Sequence, residues 1–328
     1  MAELRWNPLI KDWVMIASNR QNRPQMPKDY CPFCPSFGNV PEYEVLEYDN
    51  DFPALSQNPP EPDDVATDFF KVRPSYGKCE IILYSPGHTV TLPELSDAHM
   101  KKLVDLWCER FRAIASDQKI KYVFPFENRG ELVGVTMPHP HGQIYGYSFL
   151  PKKLQLETSA AKEYYGEKHS CLFCSLLENE RREGKRIIFR NDHFTVFLPF
   201  FTEYPYGVYI LSNRHTPYMT DFSEEEKFSL GVTIRDVAGM LDSLFGYRFP
   251  YMMCMHNAPV NLGDYSKDFH FHIEFFPPMR SADKQKFNAS SETGAWASCN
   301  PTCPEETAKE LRAAYERFRA RTERRGLE

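Results

Sequence analysis

Cysteine and histidine occur in this sequence at spacings that suit metal binding. Cys31 and Cys34 form a C-x-x-C pair, and two thiolates at this spacing can chelate one zinc ion from a tight turn. His88 and His139 lie beside predicted strands and can complete a tetrahedral Cys2His2 site. A single C-x-x-C pair is equally typical of a redox motif or of buried cysteines, so this set alone leaves both readings open.

The same residue types recur in the second half of the chain, in the same order: Cys171 and Cys174, then His215, then His270. Such a recurrence indicates an internal repeat and favours a metal in each half. The alternative for His88 or His215 taken alone is a hydrogen-bonded surface histidine. A duplicated domain of strands and one main helix is the simplest account of the pattern.

The segment His139-Pro140-His141-Gly142-Gln143 carries a second kind of chemistry. On a strand, residues two apart share a face, so we expect His139, His141 and Gln143 to point together. His139 can then hold the metal while His141 faces a ligand, since neutral imidazole is a competent nucleophile towards phosphorus. Gly142 is expected to let a phosphate approach the backbone. The alternative is that both histidines are metal ligands.

These residues need strands and helices to position them. Ser96 is predicted to cap a helix with one apolar stripe, Ser223 and Glu226 form a capping box for another, and Pro304 begins a C-terminal helix. Short β-prone runs predict strands at residues 79–85, 121–126, 139–149, 186–190, 194–198, 206–212, 251–255 and 269–276. The pattern predicts an α+β fold of two tandem duplicated domains, at residues 1–155 and 156–328, with antiparallel sheets and flanking helices.

Composition excludes two classes of function. Among 328 residues, Lys and Arg number 39 and Asp and Glu number 45, a net charge of −6 that argues against a nucleic-acid-binding protein. No apolar run approaches the ~20 residues that span a bilayer, and no secretory signal is recognisable. We therefore expect a cytoplasmic protein without a membrane or nucleic-acid partner. Its nine cysteines should be reduced and lean towards metal rather than disulfide.

The sequence HPHGQ (139–143), with FENRG (126–130) and SPGHTVTLPELS (85–96), resembles the galactose-1-phosphate uridylyltransferases of the histidine-triad superfamily. The resemblance covers most of the chain through NPLIKDWVMIASNRQNRP (7–24), NDFPAL (50–55), SFLP (148–151), HNAP (256–259) and HFHIEFFPP (270–278). It implies tandem histidine-triad-like domains and a ping-pong reaction. His141 would attack the α-phosphorus of UDP-glucose and release glucose 1-phosphate. Galactose 1-phosphate would then take up the uridylyl group as UDP-galactose.

The resemblance also implies roles for other residues. Gln143 would hydrogen-bond a non-bridging phosphoryl oxygen, and Thr136 keeps the hydroxyl of the serine usual at its position. The further contacts implied are Arg20, Arg23, Asn128 and Thr136 for the phosphates, Asn50 and Asp51 for the nucleoside, and Lys286, Phe287 and Glu292 for the hexose phosphate. SSETGAW (290–296) departs from the best-known members, so the preferred hexose is left open. Members of the family are commonly homodimers with sites near the interface.

The second metal has two candidate ligand sets. We favour zinc at Cys171, Cys174, His215 and His270, because thiolates bind zinc well and the set repeats the first one. Some family members instead use a glutamate and three histidines, which here would be Glu157, His256, His270 and His272, with iron or zinc. His272 is the second-half counterpart of His141 but lacks the His-Gly-Gln context, so only the first half should be catalytic.

A related function stays open. Nucleotide-sugar phosphorylases or adenylyltransferases of this superfamily use phosphate as the acceptor, and some share the second C-x-x-C pair. The HPHGQ form favours the uridylyltransferase. Cys299 and Cys303 receive no role from either reading.

Overall fold

A computed structural model describes residues 2–22 and 30–325 of the chain. The strands are β1 (Ala2–Asn7), β2 (Asp12–Ala17), β3 (Leu46–Asp49), β4 (Val72–Pro74), β5 (Gly77–Leu83), β6 (Tyr122–Arg129), β7 (His141–Tyr147), β8 (Ile187–Arg190), β9 (Phe194–Phe197), β10 (Tyr209–Ser212), β11 (Tyr251–His256) and β12 (His272–Phe276). The helices are α1 (Asp97–Ala115), α2 (Lys152–Lys168), α3 (Leu172–Glu183), α4 (Glu224–Phe245), α5 (Ser290–Ala295) and α6 (Pro304–Arg325).

A nine-stranded sheet runs through both halves of the chain in the order β3-β5-β7-β6-β11-β12-β10-β9-β8. Its neighbouring strands pair antiparallel throughout. The first four strands come from the first half and the other five from the second, and the halves meet where β6 pairs with β11. A separate three-stranded sheet has the order β2-β1-β4. The predicted α+β class with antiparallel sheets and flanking helices is confirmed.

Helices α1 and α4 cover one face of the large sheet, and α6 packs on α4. Both helices begin where the sequence predicts: the Ser96 side chain accepts from the His99 backbone, and Ser223 and Glu226 form the capping box. The predicted stripe of α1 is buried in the main core, as Met100, Leu103, Val104, Trp107, Phe111 and Ile114. Packing of this stripe, rather than helix propensity, holds α1 in place.

The alternation of strand side chains leaves the other sheet face for chemistry. Ile144, Met253 and Ile273 join the core beneath the helices. Their neighbours Gln143 and Glu274 therefore point to the opposite face, because successive side chains on a strand alternate.

Two local differences from the predicted elements bear on the site. Strand β7 begins at His141 instead of His139, since Pro140 has no backbone N–H with which to join the ladder. Helix α2 is absent from the predicted elements because its buried positions, Leu154, Thr158 and Ala161, include no continuous apolar stripe. In the described part of the chain, no helix has both the length and the apolar character needed to cross a membrane.

The contact between α4 and α6 gives a stability test at Gly239. A Cβ added there would lie 2.1 Å from Cε2 of the buried Phe318 ring, so Gly239→Ala should overpack the contact and cost about 1–3 kcal/mol. Gly166 on α2 is the matched control, because an added Cβ there meets nothing within 4 Å. Gly166→Ala should stabilise by up to ~1 kcal/mol through helix propensity. Urea unfolding followed by circular dichroism measures both, and a Gly239→Ala variant as stable as the parent would contradict this packing.

Candidate metal centres and candidate active site

The four metal-type side chains of the first half come together as the sequence predicts. The ligand atoms of Cys31, Cys34, His88 and His139 all lie within 4.8 Å of one another. His139 Nδ1 is 3.6 Å from Cys31 Sγ and 3.5 Å from Cys34 Sγ, and His88 Nδ1 is 3.3 Å from Cys34 Sγ. Burial, with the neighbouring Cys31 thiol, raises the pKa of Cys34 to about 11. The raised pKa means that forming the thiolate costs free energy, and a divalent cation would offset this cost by stabilising the thiolates.

Local hydrogen bonds orient these ligand side chains. A turn brings the cysteines together, with the Cys34 backbone N–H donating to the Cys31 carbonyl at 3.3 Å. His139 Nε2 lies 2.8 Å from the Ser85 carbonyl oxygen, so Nε2 donates and Nδ1 keeps its lone pair towards the thiols. Burial lowers the pKa of His139 to about 4, which keeps the ring neutral and able to ligate a metal.

The second half forms the equivalent group from Cys171, Cys174, His215 and His270. Cys174 Sγ is 3.3 Å from His215 Nδ1 and 3.4 Å from His270 Nδ1. His270 Nε2 lies 2.7 Å from the Ser212 hydroxyl, which fixes this ring as the Ser85 carbonyl fixes His139. The two groups have the donor chemistry that a tetrahedral zinc ion takes.

The alternative ligand set with three histidines is not assembled. His270 belongs to the cysteine group, and the carboxylate of Glu274 stands with Glu157, His256 and His272 instead. Glu274 is not among the predicted ligands. Its position two residues after His272 on a strand places both side chains on one face.

His141 is oriented by the backbone that precedes it. Its Nδ1 lies 2.8 Å from the carbonyl oxygen of His139, and because a carbonyl only accepts, Nδ1 donates and the ring lone pair is on Nε2. Of the three residues predicted to share a strand face, His141 and Gln143 lie in β7, whereas His139 lies outside it. That residue precedes β7, and its ring turns to the cysteines while its carbonyl orients His141.

Gly142 has a packing role that the sequence does not predict. An added Cβ at Gly142 would lie 2.5 Å from the Tyr84 hydroxyl oxygen, on the helix-covered side of the sheet. The glycine therefore permits close packing of Tyr84 beneath the His141 strand. The close approach of a phosphate to this backbone stays a prediction.

A polar cavity of about 230 Å³ opens beside His141. The predicted phosphate contacts Arg20, Asn128, Thr136 and Gln143 line it together with the aromatic residues Phe126 and Tyr145. The Tyr145 hydroxyl donates to Gln143 Oε1 at 3.2 Å, which leaves the amide N–H groups of Gln143 as donors for an anion. A second cavity of about 330 Å³ also has His141 and Asn128 in its wall, so both spaces meet at this imidazole.

Other predicted contacts lie away from these two cavities. Asn50 accepts from the Phe52 backbone and Asp51 from the Tyr48 hydroxyl, in the loop after β3. Lys286 Nζ lies 3.8 Å from Glu292 Oε1, and the Phe287 residue is 70% exposed. Within this one chain, Lys286, Phe287 and Glu292 do not line the space beside His141. Arg23 is outside the described residues.

Comparisons with known proteins agree over the whole chain. The family profile described as galactose-1-phosphate uridyl transferase, N-terminal domain, matches residues 1–151, and the profile for the C-terminal domain matches residues 157–317. A Thermotoga maritima protein named galactose-1-phosphate uridylyltransferase is 41% identical, covering 95% of this chain and 98% of that protein. A Haemophilus influenzae protein of the same name is 30% identical, covering 95% and 94%.

Solved structures give the same picture. One described as a uridylyltransferase superposes with a TM-score of 0.89 at 32% identity, covering 96% of this chain and 99% of its own. An ADP-glucose phosphorylase from Arabidopsis thaliana, at 22% identity and a TM-score of 0.73, shares the fold. Both halves of this chain match their counterpart profiles, and we conclude that the chain belongs to the galactose-1-phosphate uridylyltransferase family.

Proposed function

We propose that this protein is a nucleotidyltransferase that moves UMP from UDP-glucose to galactose 1-phosphate through a covalent uridylyl group on His141. The observation that carries the proposal is the hydrogen bond from His141 Nδ1 to the His139 carbonyl, beside a cavity lined by Arg20, Asn128 and Gln143. That geometry puts an imidazole, whose neutral form has its lone pair on Nε2, next to donors for a phosphate.

The reaction then proceeds in two displacements at phosphorus. The Nε2 lone pair attacks the α-phosphorus of UDP-glucose, the bond from that phosphorus to the bridging oxygen breaks, and glucose 1-phosphate leaves with the electron pair. The uridylylated ring is cationic and keeps its proton on Nδ1, so its bond to the His139 carbonyl becomes charge-assisted and stronger. A phosphate oxygen of galactose 1-phosphate next attacks the same phosphorus, and His141 departs as neutral imidazole.

The polar side chains of the cavity stabilise the charge that develops on the phosphoryl oxygens. Gln143 and Asn128 supply amide donors, Arg20 a guanidinium and Thr136 a hydroxyl. Such preorganised donors act most strongly in the transition state, where the equatorial oxygens carry more negative charge than in the bound substrate.

Zinc at each Cys2His2 group is part of the proposal, since thiolate-rich tetrahedral sets favour zinc over iron. Four protein ligands leave no open position for substrate, so the metal would serve structure. In the first half it would hold the ring of His139, whose carbonyl orients His141. No step of the transfer passes through the metal.

A homodimer and a cytoplasmic location complete the proposal. The expected hexose-phosphate residues Lys286, Phe287 and Glu292 stand apart from the cavity at His141, and Phe287 is exposed. A second copy that brings them to the acceptor side would account for that separation. All nine cysteines are free thiols, which suits a reducing compartment.

Replacing the nucleophile tests the reaction. His141→Asn should reduce uridylyl transfer by roughly 10³-fold or more, because the substitution removes the attacking nitrogen. The measurement is a coupled assay of UDP-galactose formation. His169→Asn is the control: His169 is exposed and left-handed at φ 52°, a conformation that asparagine tolerates, so full activity is expected there. Full activity of His141→Asn would refute the assignment.

The acceptor distinguishes the two enzymes that the sequence leaves open. With UDP-glucose as donor, we expect galactose 1-phosphate to support faster turnover than inorganic phosphate. The comparison of kcat/KM for the two acceptors, repeated with ADP-glucose as donor, measures the preference. Faster turnover with phosphate would make the protein a nucleotide-sugar phosphorylase.

Metal content tests the zinc sites. Cys34→Ala and Cys174→Ala should each lose one zinc ion per chain and lower the thermal midpoint, since each removes one of four ligands. Elemental analysis of the purified proteins measures the loss. Cys299→Ala is the matched control, because Cys299 is exposed and belongs to neither group, and it should keep both ions. Unchanged zinc in Cys34→Ala or Cys174→Ala would contradict the ligand assignment at that site.

A further inference from the structure

The two halves present equivalent positions across the strand pair that joins them. Gln143 pairs with Phe126, Phe126 with Cys254, and Cys254 with Glu274, so one row of side chains crosses four strands. The row is symmetric about the contact between Phe126 and Cys254. Glu274 therefore occupies, in the second half, the position that Gln143 has in the first.

The histidines before these residues are equivalent too. His272 Nδ1 lies 2.9 Å from the carbonyl oxygen of His270, as His141 Nδ1 lies 2.8 Å from that of His139. The second ring is nevertheless enclosed: His272 is 1% exposed and packs on the rings of Phe173 at 4.8 Å and His256 at 4.7 Å.

The side chains around His272 differ in charge from those around His141. Gln143 becomes Glu274, and Asn128, two residues beyond Phe126, corresponds to His256, two residues beyond Cys254. Two neutral amides that suit a phosphate are thus replaced by a carboxylate and an imidazole. A buried carboxylate repels an anion and favours a cation.

The carboxylates of this cluster need a positive charge. Glu274 is 2% exposed, and Glu157 from α2 lies 2.9 Å from His256 Nδ1 through Oε2. Lys153, also on α2, supplies the charge. Its Nζ donates to Glu274 Oε2, lies 3.9 Å from Glu157 Oε1 and sits 4.8 Å from the centre of the Phe276 ring. Burial raises the pKa of Glu274, but the neighbouring His256 and Lys153 and the hydrogen bond from His272 hold it well below its usual value.

The same donors would otherwise suit a divalent metal. Atoms of Glu157, His256, His272 and Glu274 lie within 4.8 Å of one another, and carboxylate with imidazole is a common ligand set for zinc, iron or manganese. The ammonium of Lys153, however, is bonded to Glu274, one of the four donors. With Lys153 in place, the residues present do not fit a metal ion.

We propose that the second-half counterpart of the catalytic site is a cation site whose occupant is the ammonium of Lys153 from the same chain, held where a divalent metal would otherwise bind. Being tethered, this ammonium competes with free metal at a high effective concentration. It also ties α2 to the sheet through Glu274. Removing the ammonium should convert the cluster into a metal site. The inference does not depend on the proposed transfer reaction, but its ion counts rest on the two proposed zinc sites.

Metal stoichiometry tests the proposal directly. Lys153→Met keeps the aliphatic stem and removes the charge, and we expect it to bind three Co²⁺ or Zn²⁺ ions per chain where the parent binds two. The Cys299→Ala/Cys303→Ala background removes exposed thiols that could add ions. Lys152→Met is the matched control, because Lys152 lies next in the chain and its Nζ bonds Gln155 instead, and it should bind two.

Cobalt absorption identifies where the third ion lies. The cysteine groups should give intense thiolate charge-transfer bands in every variant, whereas the extra ion in Lys153→Met should add only weak visible bands of an oxygen and nitrogen site. Lys153→Met/Glu274→Gln should return to two ions, since the fourth donor loses its charge.

Two results would overturn the proposal: three ions in the parent protein, or two in a folded Lys153→Met. Should Lys153→Met fail to fold, Lys153→Gln, which also removes the charge, takes its place: three ions per chain support the proposal and two overturn it.

Discussion

The hydrogen bond from His141 Nδ1 to the carbonyl oxygen of His139 leaves Nε2 as the nitrogen for the proposed attack on phosphorus. The position of this hydrogen bond depends on the position of His139. Its ring is fixed by the Cys31 and Cys34 thiols on one nitrogen and by the Ser85 carbonyl on the other. A metal bound to the thiols would therefore act on the nucleophile through one backbone carbonyl, without touching substrate.

The second half of the chain has the same histidine-to-carbonyl hydrogen bond in different surroundings. His272 makes the same bond to the carbonyl of His270 and follows an equivalent cysteine group. Burial against Phe173 and the carboxylate of Glu274 turn the position into part of a charged cluster. Under the proposed function, the bond to the preceding carbonyl orients a histidine but does not by itself make it a nucleophile. An open cavity with neutral and cationic donors, as around His141, supplies the rest.

The sequence predicts the parts of this protein that depend on local patterns. The cysteine pairs and their histidines are recognisable because ligand types and spacing carry the signal, and α1 and α4 because their caps and stripes do. The family resemblance groups Glu157, His256 and His272, but the place of Glu274 beside them depends on the register of β6, β11 and β12 and on α2, whose buried residues form no apolar pattern. The place of His139 outside β7 follows from Pro140, and its ring lies beside the cysteines as the ligand types predict. The family resemblance predicts that Lys286 and Glu292 contact the hexose phosphate, but within one chain neither residue lines the cavity beside His141.

Mass spectrometry of the intact protein mixed with UDP-glucose alone, followed by peptide mapping, tests whether His141 becomes uridylylated. We expect one uridylyl group per chain, attached to His141 and removed by adding glucose 1-phosphate or galactose 1-phosphate. Absence of an adduct under conditions that support turnover, or an adduct on another residue such as His272, would contradict that expectation.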